Sequence, residues 1–457
     1  MYYTYYYTTD RLKMQVLFLV FAFFILCDII IGGRVAEWFK ALVLKTSIRK
    51  YRKFESCPFR HCYVMRKAMK KTKIIILAVV TAIFVFVIFV GVRMANLDIK
   101  IDLVTTYEIS EVEKPAIDFA TGYGEWTVAL NGSVVSKSAE TLEIRPTAST
   151  AKMILALAVM EKKPFELGSV GETITINQEM YQKYTWYILN NGSNTRVRVG
   201  EEISEYDALA SALLASSNNM ADSLAIWAFG SLDEYKNYAT EMLSRIGALN
   251  TKLGVDASGY DESTVSTAED LAKIGDAILK QPVLAEIVGR AEMNVPVAGL
   301  IKNTNKLLGT DRIVGIKTGY IGDPSGYCLV SGYKEGSENV TVALLGAPTR
   351  QKSFDDSLVI IKQAQEKIKT RELVTENQEV GYFESWWLGK IPITALDKID
   401  GVIVSDPEIY LEMEDFDGNL KIVTKETEYN AKVKSEEFKK EPSLWERFLG
   451  VFGWRLI

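Results

Sequence analysis

The chain has 457 residues and a formal net charge of −5, and this charge is divided unequally along its length. Residues 1–73 hold 15 Lys/Arg and 4 Asp/Glu, whereas the rest holds 38 and 54 and carries a net charge of −16. The length leaves room for more than one domain. The negative charge of residues 74–457 makes this part of the chain a poor binder of nucleic acid.

Residues 1–68 are predicted to be an N-terminal extension, with an apolar run at 14–31 that Asp28 interrupts. The basic stretch that begins at Met69, followed by a second apolar run, resembles a bacterial start of translation. We therefore expect the natural chain to begin at Met65 or Met69. An N-terminal peptide recovered from residues 1–60 of the native protein would contradict this expectation.

Histidine and cysteine are scarce in this chain. The only histidine is His61, which excludes a Ser-His-Asp triad in the part of the chain that follows it. Four cysteines are too few for a disulfide framework. Cys57, His61 and Cys62 are of types that bind metals, but a second pair of ligands is missing, so we predict no metal site. Cys328 is expected to pack in a buried strand.

Residues 69–93 are predicted to form a membrane anchor, followed by a linker at 94–111. The stretch Ile74–Val92 is uncharged, and nineteen residues at ~1.5 Å each span a bilayer core. Three lysines precede this stretch, which places that side in the cytoplasm. No signal-peptidase site follows it. We predict a single-pass anchor in the cell membrane, with the catalytic part on the extracytoplasmic side.

Residues 112–370 are predicted to form the catalytic domain. A strand is expected at Glu125–Leu130, and two more at Gly326–Tyr333 and Asn339–Leu345. The middle of the domain is helix-rich. Strands at both ends with helices between them favour an α+β fold, a sheet with flanking helices and a helical lobe, over a βαβ repeat.

Three short motifs stand in this domain, and together they indicate a nucleophilic serine. They are Ser149-Thr150-Ala151-Lys152, Ser216-Ser217-Asn218 and Lys317-Thr318-Gly319. Each motif alone is common by chance. Their order and structural contexts favour a real site over coincidence.

Ser149 and Lys152 are spaced by one helical turn, so both side chains project from the same face. The apolar run Ala151–Lys162 predicts a helix that begins beside Ser149. A lysine accepts the serine proton only when it is neutral, and burial or a second lysine such as Lys317 lowers its pKa. We therefore predict Ser149 as the nucleophile and Lys152 as the general base.

The other two motifs supply groups that bind and relay. Asn218 carries an amide that holds Lys152 and bonds a substrate carbonyl, and Ser216 offers a hydroxyl that relays a proton to the leaving amine. The stretch Arg312–Ile316 predicts an edge strand leading into the third motif. On that strand, side chains at 317 and 318 are expected to bind a carboxylate, and a glycine at 319 lets a substrate approach. The backbone N–H groups of Ser149 and Tyr320 would form an oxyanion hole.

Residues 371–434 are predicted to form a small β domain, because short alternating stretches replace the earlier pattern. Residues 435–457 form a tail in which apolar side chains recur at helical spacing. This amphipathic segment is expected either to lie on the membrane surface or to dock onto the protein.

The three motifs resemble those of the low-molecular-mass penicillin-binding proteins, specifically the serine-type D-alanyl-D-alanine carboxypeptidases. The middle motif carries Ser217 where the usual pattern has Asp. The similarity extends to the stretches Ala215–Ala225, Asp256–Gly259, Asn303–Leu308 and Gly326–Val330. Three features depart from it around the carboxylate pocket: Thr304 stands where many relatives have Arg, Ile321 where many have Thr, and residues 322–325 replace a shorter turn.

The resemblance implies a β-lactamase/transpeptidase-like fold with an antiparallel sheet, and a D,D-carboxypeptidase that trims peptidoglycan stem peptides through a serine acyl-enzyme. It also implies that β-lactams inhibit the enzyme covalently and that the reaction requires no cofactor or metal. Lys317, Thr318, Gly319 and Tyr320 would bind substrate. The alternatives are a D,D-endopeptidase, a β-lactamase, and, in another class, an inactive muropeptide-binding protein. The segment Leu253–Gly259 favours the carboxypeptidase over the β-lactamase, because the deacylating Glu is not found there.

Overall fold

The computed structural model describes residues 59–109, 112 and 114–454. The predictions for residues 1–58, including the apolar run at 14–31, lie outside the described residues. The described chain divides into two compact units, one made of residues 59–104, 381–393 and 435–454, the other of 105–380 and 394–434. All three motifs lie in the second unit.

Helices and strands occupy the following positions. The helices are α1 (Phe59–Ala95), α2 (Lys152–Lys162), α3 (Gln178–Leu189), α4 (Glu205–Leu213), α5 (Asn218–Phe229), α6 (Leu232–Arg245), α7 (Ala268–Lys280), α8 (Pro282–Val288), α9 (Arg350–Lys367) and α10 (Leu444–Val451). The strands are β1 (Asp102–Thr105), β2 (Glu125–Leu130), β3 (Ser133–Lys137), β4 (Arg145–Pro146), β5 (Thr173–Thr175), β6 (Glu202–Ser204), β7 (Val265–Ser266), β8 (Glu292–Val295), β9 (Gly299–Lys302), β10 (Gly315–Gly319), β11 (Tyr327–Glu335), β12 (Glu338–Ala347), β13 (Arg371–Val374), β14 (Glu379–Ser385), β15 (Gly389–Ala395), β16 (Ile399–Gly401), β17 (Glu408–Glu414), β18 (Asp417–Val423) and β19 (Glu428–Ser435).

The first unit contains the long apolar helix α1. Its segment Leu77–Ala95 has a mean hydropathy of 2.6 and is, among the described residues, the one helix long and apolar enough to cross a membrane. The predicted amphipathic tail is helical over α10, which begins at a capping box formed by Ser443 and Glu446. The Phe452 ring stacks on Phe86 of α1, with 6.5 Å between the ring centroids.

The second unit is built around a five-stranded antiparallel sheet with the order β10-β11-β12-β2-β3. Its inner strands are apolar on both faces because helices cover both sides. Ala343 belongs to the core cluster that includes α7 and the helical lobe, which is formed by α2, α4, α5 and α6. The next residue, Leu344, belongs to the cluster that includes α9. Successive strand residues point to opposite faces, and this alternation explains the continuous apolar runs.

The helical lobe surrounds α2, most of whose residues from Lys152 to Met160 are buried. The turn that precedes α2 lies against the edge strand β10. An ideal Cβ placed on Gly319 would come within 2.9 Å of Thr147 O and 3.2 Å of Ser149 N, so a side chain there would crowd the two elements. The sheet edge and the turn that leads into the lobe therefore meet beside Ser149. The predicted α+β fold with an antiparallel sheet and a helical lobe is confirmed.

The region after α9 contains an antiparallel run of strands β17, β18 and β19. Buried and partly exposed residues alternate along β18, as expected for a sheet with one covered face. The boundaries at 370/371 and 434/435 stay predictions.

Candidate active site

Ser149 lies in a short 3-10 turn, Ala148–Ala151, that leads directly into α2. Lys152 is the first residue of α2, one turn after Ser149, and its Nζ lies 2.8 Å from Ser149 Oγ. The turn is tight: Ala148 adopts a φ of +48°, a left-handed conformation that alanine seldom takes. The structure thus brings together the two residues that the spacing paired.

Lys152 is fully buried, and two further acceptors surround its amine. The Nζ atom lies 2.7 Å from Asn218 Oδ1 and 2.8 Å from the backbone oxygen of Ser258. Burial lowers the pKa of Lys152 from 10.5 to about 7, while the negative charges of Asp256 and Asp222 oppose this shift. The amine therefore loses its proton near neutral pH, well below the range of an exposed lysine.

A loop that carries Ser258 is held by two carboxylates for which the sequence had suggested no role. Asp256 Oδ1 accepts from Ser258 N and Ser258 Oγ, each at 2.7 Å. The buried Asp222 accepts from Ala257 N and from the Tyr187 hydroxyl, each at 3.0 Å. These bonds fix the Ser258 carbonyl that contacts Lys152. The sequence did point to the stretch Asp256–Gly259, because it is one of the stretches in which the chain resembles the family.

Gly259 closes this loop against the serine turn. It has a φ of +68°, and an ideal Cβ would lie 2.1 Å from the Ala148 carbonyl oxygen. Only glycine fits here, both for its backbone angle and for its contact.

The second motif forms a strained turn at the start of α5. Ser216 has a φ of +59° and is buried, and Ser217 is the N-cap, whose Oγ accepts from Met220 N. The Asn219 side chain ties this turn to a neighbouring loop by bonding both backbone groups of Thr195. The turn places Ser216 and Asn218 on the cleft side of the lobe.

The third motif lies on the edge strand β10. Lys317 is buried, and its Nζ donates to Ser216 Oγ and to the backbone oxygen of Thr318, each at 2.9 Å. Burial, and secondarily the charge of Lys152, lowers the pKa of Lys317. Lys317 thus joins the second motif to the third across the cleft.

Two hydroxyls meet beside this strand. Thr304 Oγ1 lies 2.7 Å from Thr318 Oγ1. The Thr304 loop is fastened by its own backbone N–H, which donates to Leu214 O, and by Asn305, whose Nδ2 donates to Gly315 O at 2.8 Å. A neutral hydroxyl therefore lies beside Thr318, at one of the three features where the sequence departs from the motif pattern that it resembles.

Tyr320 follows the edge strand, and its ring stacks on Tyr327 with the centroids 4.0 Å apart. Because Gly319 lies against the Ser149 backbone N–H, the next amide, that of Tyr320, is close to the same point in the cleft. The contacts thus join Ser149 with Lys152 and Asn218, and Ser216 with Lys317, while Gly319 lies against the Ser149 turn. The roles predicted for these residues, and for Thr318 and Tyr320, stay predictions.

Comparison with known proteins identifies the family of this chain. The family model described as D-alanyl-D-alanine carboxypeptidase, peptidase S11, matches residues 128–349. A D-alanyl-D-alanine endopeptidase of Pseudomonas aeruginosa is 30% identical over 219 residues, which cover 46% of this chain and 67% of that protein. The D-alanyl-D-alanine carboxypeptidase DacF of Bacillus subtilis is 26% identical over 197 residues, 41% of this chain, and the match spans half the length of that relative.

Among solved structures, a protein of Streptococcus pneumoniae described as a peptidoglycan synthesis regulatory factor (PBP3) superposes with a TM-score of 0.57. It is 17% identical, and the match covers 70% of this chain and 99% of that one, so it bears on the fold alone. The penicillin-binding fold is thus shared. On the sequence match with the Pseudomonas aeruginosa relative and the family model, the chain belongs to the D-alanyl-D-alanine carboxypeptidase family, peptidase S11.

Proposed function

We propose that this protein is a serine D,D-carboxypeptidase that releases the terminal D-alanine of peptidoglycan stem peptides through an acyl-enzyme on Ser149. One observation carries the proposal: the partners of the Lys152 amine suit a neutral base. Asn218 Oδ1 and the Ser258 carbonyl have no hydrogen to give, so each takes one N–H of the amine. The lone pair is then left for the hydroxyl of Ser149.

Acylation begins when Ser149 Oγ attacks the carbonyl carbon of the penultimate D-alanine and its proton passes to Lys152 Nζ. The negative charge that develops on the carbonyl oxygen is stabilised by the N–H groups of Ser149 and Tyr320. Each such donor typically contributes about 3 kcal/mol to the transition state. The Asn218 amide, fixed by Lys152, bonds the substrate carbonyl on the other side.

The peptide bond breaks when the leaving amine receives a proton. The proton that Lys152 took from Ser149 supplies it: Ser216 Oγ, bonded to Lys317, accepts that proton and passes its own to the nitrogen of the departing D-alanine, so that Lys152 is neutral again. Water then attacks the ester, Lys152 accepts a proton from the water, and it passes this proton to Ser149 Oγ as the ester bond breaks. This second step returns Ser149 to its hydroxyl form and releases the shortened peptide.

The terminal carboxylate binds beside β10. Thr318 donates a hydrogen bond to it, and the positive end of Lys317 attracts it. An arriving carboxylate raises the pKa of Lys317 and favours its charged form. A charged Lys317 in turn disfavours protonation of Lys152, because like charges repel in a buried site. Substrate binding thus helps to keep the base neutral.

Thr304 is expected to orient the Thr318 hydroxyl through their shared hydrogen bond. Thr304→Val removes that bond, worth about 1 kcal/mol, and should raise KM three- to tenfold with a smaller change in kcat. Thr304→Ser keeps the hydroxyl and should behave like the wild type. Steady-state D-alanine release measures both variants. An unchanged KM in the valine variant would show that the bond does not position Thr318.

Cleavage of cross-links is the second candidate activity, because the Pseudomonas aeruginosa relative is named as an endopeptidase. The same nucleophile and base serve both reactions, which differ only in what departs as the leaving amine. The alternatives to both are a β-lactamase and a catalytically silent binder.

The helix α1 supports a membrane location. We infer that Leu77–Ala95 crosses the cell membrane and that the lysines before it stay in the cytoplasm, which puts the catalytic residues on the extracytoplasmic side. Protease added to intact cells should then cleave the region after Ala95.

A single set of assays with the purified protein tests the activity. It is incubated with a pentapeptide ending in D-Ala-D-Ala, with a cross-linked dimer and with penicillin, and D-alanine, dimer cleavage and adduct lifetime are followed. We expect D-alanine release and a long-lived penicillin adduct. Dimer cleavage without D-alanine release would favour the endopeptidase. Rapid turnover of penicillin would favour the β-lactamase. A complete lack of adduct and product would refute serine catalysis.

A further inference from the structure

Two tyrosine rings stack at the end of the edge strand β10. Tyr320 follows this strand, and Tyr327 begins the neighbouring strand β11, opposite it in the register that pairs Gly319 with Cys328. The ring centroids lie 4.0 Å apart, and the ring planes differ by 10°. Tyr327 packs against the core cluster that includes α9, whereas Tyr320 is 46% exposed. The tyrosine stack therefore presents an open aromatic face that is supported from behind.

The loop that joins the two rings is held by internal hydrogen bonds. Ser325 is fully buried, and its Oγ accepts from Ile321 N at 3.1 Å and donates to Gly326 O at 2.8 Å. The backbone N–H of Gly326 donates to Gly322 O at 3.0 Å. This loop is another of the features in which the sequence departs from the motif pattern that it resembles. Its hydrogen bonds fix the two rings before a ligand arrives, so that binding orders fewer groups.

The ring of Tyr320 lies on the same face of the sheet as the side chain of Thr318. Thr318 pairs with Leu329, which belongs to the α9 cluster, whereas Gly319 pairs with Cys328, which belongs to the cluster of the helical lobe. Successive residues of a strand point to opposite faces, so positions 318 and 320 share the α9 face. They are separated by ~6.6 Å along the strand.

In the proposed mechanism, the leaving residue spans this interval. Its carboxylate meets Thr318, and the carbonyl from which it departs meets the N–H of Tyr320. On the lobe face, Gly319 already lies against the backbone of Thr147 and Ser149, which leaves little room for a side chain. A side chain on the leaving residue therefore finds room on the α9 face, beside the Tyr320 ring. A methyl group covers little of this ring, whereas a chain of several methylenes covers more of it.

We propose that the tyrosine stack binds the side chain of the leaving residue, so that the enzyme releases a D-amino acid with a long aliphatic side chain more readily than D-alanine. Aliphatic groups pack on an aromatic ring and remove apolar surface from water. The inference rests on the proposed function and deepens it, because it names the leaving group that the site prefers. A cross-link, whose leaving residue is larger than D-alanine, gains from the same contact.

The test uses four peptides that are identical up to the acylated D-alanine and end in D-alanine, D-2-aminobutyrate, D-norvaline or D-norleucine. All four form the same acyl-enzyme, so a difference in kcat/KM comes from the leaving residue. We expect kcat/KM to rise about twofold with each added methylene, and about eightfold from D-alanine to D-norleucine, as for methylenes that are half buried. Chromatography of the released D-amino acids measures the four rates.

Variants of the stack are compared through the ratio of kcat/KM for the norleucine peptide to kcat/KM for the alanine peptide. Tyr320→Ala removes the ring and should lower this ratio to below about 2. Any change that the substitution causes in the oxyanion hole affects both peptides alike and cancels in the ratio. Tyr320→Phe keeps the ring and should keep the ratio. The matched control is Tyr410→Ala, changed at a tyrosine of β17 that is also 46% exposed, and it should behave like the wild type.

A ratio of about 1 in the wild type, with D-alanine released normally, would overturn the tyrosine site and leave the proposed function intact. An undiminished ratio in the Tyr320→Ala variant would assign the preference to another contact and overturn the proposal as well. A wild type that releases no D-amino acid from any of the four peptides and forms no adduct with penicillin would instead refute the proposed function.

Discussion

The Ser149→Ala variant is expected to form no covalent adduct with penicillin and to release D-alanine at least about 10⁴-fold more slowly than the wild type. The hydroxyl oxygen is the atom that becomes esterified, and the other two partners of the Lys152 amine, an amide oxygen of Asn218 and the backbone carbonyl of Ser258, are not nucleophiles. Alanine suits the short turn that holds position 149, whose neighbours Ala148 and Ala151 are already alanines. Mass spectrometry of the intact protein after penicillin treatment measures the adduct directly.

The matched control is Ser337→Ala, which changes an exposed serine in the turn between β11 and β12. This variant should gain the mass of one penicillin, as the wild type does, and peptide mapping should locate the added mass on residue 149. Thermal unfolding of the Ser149→Ala variant should stay close to that of the wild type. Retention of a stoichiometric adduct by Ser149→Ala would assign the nucleophile to another residue.

Sequence reasoning was most successful where the contact is local. Ser149 and Lys152 are one helical turn apart, so a spacing of three is enough to predict that their side chains meet. The strand Glu125–Leu130 and the helix predicted at Ala151–Lys162 also lie within one residue of their predicted bounds. In both cases a nearly continuous apolar run marks the element.

The edge strand was predicted at Arg312–Ile316, but β10 begins at Gly315. The reason is a 3-10 turn at Thr310–Arg312, in which Asp311 and Arg312 both have positive φ angles. A left-handed backbone at a residue other than glycine leaves no mark in a hydrophobic pattern. The strand could therefore be recognised, but its start could not.

The helix α3 was not predicted, because only two of its residues, Met180 and Tyr187, are buried. Its start depends on Asn177, whose side chain accepts from Met180 N. The carboxylates that hold the Ser258 loop were missed for a different reason. Asp222 reaches Ala257 across 35 positions, and no spacing rule relates residues so far apart. The motifs predicted the reacting groups. The groups that hold them in place are far away in the sequence and can be identified only from the structure.

The acylation rate at saturating penicillin is expected to depend on pH through Lys152. Its pKa is lowered to about 7, so above that pH the amine is neutral and has a lone pair for the serine proton. Below that pH it is protonated and accepts none. The rate should be constant at high pH and fall up to tenfold per unit below the pKa of Lys152 in the complex, which lies at or somewhat below about 7 because a charged Lys317 disfavours protonation of Lys152. Stopped-flow measurement with a fluorescent penicillin between pH 5 and 9 gives this profile.

Saturating penicillin is essential, because the pKa of Lys317 is lowered as well and its charge contributes to binding. As the pH rises, Lys317 loses its charge and the affinity for penicillin falls, whereas Lys152 loses its proton and the reaction becomes faster. The maximal rate is measured with the ligand bound, so it reports on the base Lys152 and not on the loss of affinity. The ratio of maximal rate to half-saturating concentration should instead show a bell shape.

Substitution of Lys152 shows whether this residue causes the pH dependence. Lys152→Met removes the base and should lower the maximal acylation rate by about 10²- to 10⁴-fold, the usual contribution of a general base, and leave a profile without a step near pH 7. Lys152→Arg keeps a cation that never loses its proton, and it should be as slow as the methionine variant. A wild-type rate that stays constant down to pH 5, or an arginine variant that acylates at the wild-type rate, would be incompatible with a neutral lysine that accepts the serine proton.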